Sequence, residues 1–96
     1  MIRIEPQFNK LEATELFGLL AKINDSKEMS AFLRDLMTLE ELEEIISRFK
    51  VVKQLQEKVP YRKIAKETGV STTTITRINY WLHYGTGGYS LALKKL

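Results

Sequence analysis

Cysteine is absent from this 96-residue chain, which excludes disulfides and every thiolate metal site. Histidine occurs once, at His83, and a lone imidazole cannot build a zinc site without other ligands. No cofactor or metal is expected. No apolar run approaches the roughly 20 residues that cross a bilayer, and no basic stretch followed by an apolar one opens the chain. A soluble, cytoplasmic protein that does not engage a membrane is expected. Proline occurs only at Pro6 and Pro60, so helical runs are seldom interrupted. No stretch alternates in the manner of a strand, and there is no internal repeat. These absences leave an all-α, single-domain chain, residues 1–96, with about six helices.

Enzyme chemistry has little to work with. Glu40, Glu41, Glu43 and Glu44 cluster at one helix start, where the helix dipole favours them, but no histidine or metal ligand accompanies them. The glycines of Gly85-Thr86-Gly87-Gly88 follow no strand and precede no Lys-Ser/Thr pair, so they are not a phosphate loop. No enzymatic function is expected.

What is present is a division of charge. Residues 1–49 carry a net −4 and residues 50–96 a net +7, which together make the overall +3. The positive half contains Arg62, Lys63, Lys66 and Arg77. A basic half kept apart from an acidic one suits a face presented to phosphates.

The apolar pattern divides the chain into helices. Met1 to Pro6 reads as an arm without firm structure. Phe8, Leu11, Leu16, Leu19, Leu20 and Ile23 predict a first helix from about Asn9 to Asn24. Asp25, with Glu28 three residues on, caps a second helix lined by Met29, Phe32, Leu33 and Leu36. Thr38 and Glu41 form a capping box for a third, in which Leu42, Ile45, Ile46, Phe49, Val52 and Leu55 make a stripe widened by Val51. That helix should end at Gln56 or Glu57, with Pro60 opening the next.

Tyr61 to Tyr80, YRKIAKETGVSTTTITRINY, organises the rest. Ile64, Ala65, Val70, Ile75 and Ile78 fall where two crossing helices touch, and Ala65 allows a close approach. Gly69 takes the left-handed turn between them, and Ser71 caps the second helix. This is the pattern of a helix-turn-helix. Its outward residues Ser71, Thr72, Thr73 and Thr76 suit base edges, while Arg62, Lys63, Lys66 and Arg77 suit phosphates. The second helix should continue through Trp81, Leu82 and His83 to the glycine-rich break, a hinge before a short helix from Tyr89 to Leu96. The first two helices hold more large apolar residues than a chain of this size can bury alone, so a homodimer is expected.

The run from Met37 to Leu82 resembles the Trp repressor in Thr38 and its acidic neighbours, Arg48, and Thr74-Ile75-Thr76-Arg77. With Tyr84-Gly85 and YSLAL at 89–93, nearly the whole chain resembles the small Trp-repressor-like proteins of the YerC/YecD group. The resemblance implies an intertwined six-helix homodimer that binds operator DNA through paired helix-turn-helix units. It also implies vestigial corepressor-site positions at Thr38, Arg48, Thr74 and Arg77. Ile78 stands where the family has a glycine, and Trp81 where it has a serine. The connection before Pro60 is one residue shorter. Ile78 and Trp81 are expected to fill the pocket from within, so that L-tryptophan does not act as corepressor, and no small-molecule effector can be named. Two other readings stay open: a helical adaptor for a protein partner, and an architectural or replication-linked DNA-binding module.

Overall fold

The computed structural model describes residues 2–96; Met1, counted above in the arm, lies outside them. After a 3₁₀ turn at Pro6–Asn9 come α1 (Leu11–Lys22), α2 (Ser26–Leu36), α3 (Leu39–Gln56), α4 (Tyr61–Thr68), α5 (Thr72–Tyr84) and α6 (Gly88–Lys94). No strand occurs among the described residues. Among the described residues no helix is long and apolar enough to cross a membrane.

The expected caps form. The Asp25 carboxylate accepts from the Glu28 amide at 3.1 Å. At the start of α3 the Thr38 amide donates to Glu41 Oε1 at 2.8 Å, and the Glu41 amide donates to Thr38 Oγ1 at 3.1 Å. Two orphan donors of the helix terminus are thereby satisfied. The Thr38 amide, then its hydroxyl, hold the Glu41 carboxyl below the usual glutamate range. A carboxyl depressed in the folded state adds stability above its unfolded value and loses it as pH falls through the folded one. Glu41→Gln is therefore expected to flatten the acid limb of a plot of unfolding temperature against pH. Circular dichroism across the acidic range checks this, and unchanged curvature would count against it.

The described residues divide into two compact units, Ile4–Leu42 and Glu43–Leu96, with Ile2 and Arg3 joining the second. In the first unit the Phe8 and Phe17 rings meet edge to face, with centroids 5.8 Å apart. No side chain there is fully buried, and Leu11 is 79% exposed. The second unit holds the core: Val51, Val52, Ile64, Ile75 and Ile78 are wholly buried, with Phe49, Leu55, Tyr61, Ala65, Val70, Leu82 and Leu93 packed around them.

Three expectations need correction. The apolar stripe of α3 is buried only in its second half, since Ile45 and Ile46 remain exposed, Ile46 at 61%. The arm is tied down, because Arg3 bonds to the end of α5. The last helix begins at Gly88 rather than Tyr89.

Candidate nucleic-acid interface

The corner between α4 and α5 is built by backbone conformation and hydroxyl bonding together. Gly69 has φ +76, a region that penalises any residue with a Cβ, and its amide donates to the Ala65 carbonyl at 2.9 Å. Thr68 adds a clasp that sequence reasoning missed. Its hydroxyl donates to the Ile64 carbonyl at 2.7 Å and accepts from the Val70 amide at 3.2 Å. A threonine just before a helix-ending glycine was the available signal, because such hydroxyls bond back one turn. The Gln54 side-chain amide also donates to the Glu67 carboxylate, bracing α4 against α3.

Ser71 caps α5 as expected. Its Oγ accepts from the Thr74 amide at 3.2 Å and lies 3.0 Å from Thr74 Oγ1, as donor. The Ser71 hydroxyl is therefore committed within the cap, which weakens it as a base-edge candidate. Thr76 Oγ1 likewise donates to the Thr72 carbonyl at 2.9 Å. Thr72 and Thr73 are exposed, and their hydroxyls have no protein partner among the described residues. Their amides belong to the first turn of α5, where donors have no intrahelical acceptor and the dipole favours an anion.

Cations flank this end. Tyr61, Ile64, Ala65 and Thr68 face inward on α4, leaving Arg62, Lys63 and Lys66 exposed on its other side. Arg77 is exposed on α5, one turn beyond Thr73. None of these four cations is in an ion pair among the described residues.

The positions matching a corepressor site are only partly gathered. A hollow of ≈ 300 Å³ is lined by Glu44, Ser47, Arg48, Thr68, Gly69, Val70, Ser71 and Thr74. Arg48 and Thr74 thus share one hollow, while Arg77 does not line it, and Thr38 is engaged with Glu41. Arg48 Nη2 is paired with Glu44 Oε1 at 3.1 Å, one turn back on α3.

Ile78 and Trp81, the two residues expected to fill a corepressor pocket, stand apart from this hollow. Ile78 is wholly buried in the core, Trp81 is 42% exposed, and neither lines the hollow. Helix geometry explains the difference. With about 100° per residue, Leu82 falls between the directions of Ile75 and Ile78, whereas Trp81 is turned roughly 90° from the mean of the two. Leu82 accordingly packs on the core.

Known proteins share this architecture. A structure of a TrpR-like protein from Eubacterium eligens superimposes with a TM-score of 0.90 at 33% identity, covering 95% of this chain and 94% of the other. A structure of a candidate Trp repressor from Staphylococcus aureus gives 0.85 at 28% identity, covering 97% and 94%. The YerC protein of Bacillus subtilis is 37% identical over 93 residues, 94% of this chain and 89% of YerC. Residues 11–96 match the family described as Trp repressor protein. A match over nearly the whole chain, a close fold and a relative of this identity place the protein in the Trp repressor family.

Proposed function

We propose that this chain is a sequence-specific DNA-binding regulator of transcription, a repressor that acts in the cytoplasm as a homodimer through α4 and α5. What carries the proposal is the first turn of α5. Free hydroxyls at Thr72 and Thr73 and unpaired amides stand there beside the cations Arg62, Lys63, Lys66 and Arg77. Short polar groups with donors and acceptors suit base edges in a major groove, and flanking cations suit the backbone. Family membership supports the same reading. Exposed Ile45, Ile46, Phe17 and Leu19 support dimerisation, since apolar surface of this extent is costly to leave in water. A two-fold dimer would set two such helix ends about 34 Å apart, one DNA turn.

Selection of bound duplexes from a random pool at two salt concentrations tests the proposal. A palindrome with half-sites about one turn apart is the expected product. Recovery of salt-sensitive binding without a motif would favour the architectural or replication-linked role. The adaptor reading has one observation of its own, the exposed rings of Tyr80 and Tyr84, 5.1 Å apart on α5. Recovery of no duplex at all would favour it.

L-tryptophan is not the effector in this proposal. The Glu44 carboxylate already lines the hollow beside Arg48, so an amino-acid carboxylate entering there meets a like charge. Calorimetric titration with L-tryptophan is expected to show no saturable binding in the micromolar range. A saturable isotherm would overturn this.

A further inference from the structure

The start of α5 is capped by Ser71, and its middle is held by Ile75 and Ile78. Its end is where the carbonyls run out of helical donors and the negative pole of the dipole lies. Arg3 meets that end. Its Nη2 donates to the Tyr84 carbonyl at 3.2 Å and to the Gly85 carbonyl at 2.6 Å. Its amide donates to the Thr86 carbonyl at 2.8 Å.

One residue thus serves three consecutive carbonyls, across sequence separations of 81 and 82 for its side chain. The junction it holds is already tight. A Cβ built on Gly85 would collide with the Trp81 carbonyl, so a side chain there forces the backbone to move. The Gly85 amide donates to that same Trp81 carbonyl at 2.8 Å, closing the last turn of α5.

We infer that Arg3 is a positioning residue that latches the C-terminal end of α5, holding the helix in the orientation in which its other end meets DNA. The inference rests on the DNA-binding proposal above. A basic residue in an arm has an obvious rival role, direct contact with a phosphate. The two roles differ in what salt does. A phosphate contact contributes about 0.9 to the slope of log affinity against log salt, whereas a latch inside the protein contributes none.

The test uses the full chain and its Arg3→Ala and Arg3→Lys variants. Amide exchange at Gly85 is followed in the free protein, and affinity is measured for a 30-base-pair duplex, the selected one or a random one, across a salt series. For Arg3→Ala, exchange at Gly85 should quicken about three- to five-fold, the scale of one cation at a helix terminus. Affinity should fall by a similar factor with an unchanged salt slope. Arg3→Lys should recover part of both, because an ammonium keeps the positive charge and N–H donors at the helix end but on a flexible stem without the guanidinium's fixed geometry. Unchanged exchange would overturn the latch, and a slope lowered by about one would assign Arg3 to a phosphate instead. Exchange is read without DNA. Failure of the protein to bind any duplex would therefore remove the functional proposal, while the exchange result still decides the latch.

Discussion

Ile78→Ala is expected to lower the thermal unfolding midpoint by roughly 10–30 °C. Ile78 is wholly buried among Val51, Val52, Ile64 and Ile75, so truncation removes apolar contacts and leaves a cavity. Losses of this kind are about 2–5 kcal/mol. A domain of this size is stable by only about 5–15 kcal/mol, and each kcal/mol moves the midpoint by roughly 4–8 °C. Leu11→Ala is the control, because Leu11 is 79% exposed and little should change unless it lies in the dimer surface. The experiment also separates two roles for residue 78. If its side chain served to plug a ligand pocket, truncation would leave stability intact and create tryptophan binding. A stable Ile78→Ala protein that binds L-tryptophan would overturn the core assignment.

Replacing Arg62, Lys63 and Lys66 together by alanine is expected to make the dependence of log affinity on log salt shallower by about 2.7, at about 0.9 per phosphate contact. All three are exposed on the side of α4 away from the core, so their loss should leave the fold intact. Binding should weaken for every duplex alike, with Lys66→Ala alone showing a third of the change. Thr73→Ala should behave differently. Its hydroxyl lies at the free first turn of α5, and its removal should alter which sequences are recovered from a random pool while leaving the salt slope unchanged. Fluorescence anisotropy over a salt series measures the first effect and repeated selection the second. An unaltered slope in the triple variant would remove α4 from the docking surface.

The contrast between Ile78 and Trp81 shows where reading along the chain stops. Both stood on one side of α5 by spacing, and the substitution pattern made both candidates to fill a pocket. Which residue turns inward depends on where the neighbouring helices lie. Leu82 occupies the inward direction, and Trp81 is left partly exposed. The α3 stripe behaved in the same way. Its period was legible, but Phe49, Val51, Val52 and Leu55 found a covering surface within the chain, while Ile45 and Ile46 did not. Ser71 and Thr76 were legible as polar and outward, yet only the geometry shows that their hydroxyls are engaged with Thr74 and Thr72.

Local chemistry by itself determined the helices, the Asp25 and Ser71 caps, the Thr38–Glu41 box and the left-handed turn at Gly69. Each depends on residues within about one helical turn, so proximity in sequence is proximity in space. The same chemistry marked the helix-turn-helix and its cations, because outward residues on a short amphipathic helix follow from its period. Tertiary structure decided the rest: the pairing of Arg48 and Thr74 in one hollow, the exclusion of Arg77 from it, and the seat of Arg3 on the end of α5. Those relations join residues tens of positions apart, and no local pattern encodes which carbonyl a distant guanidinium will find.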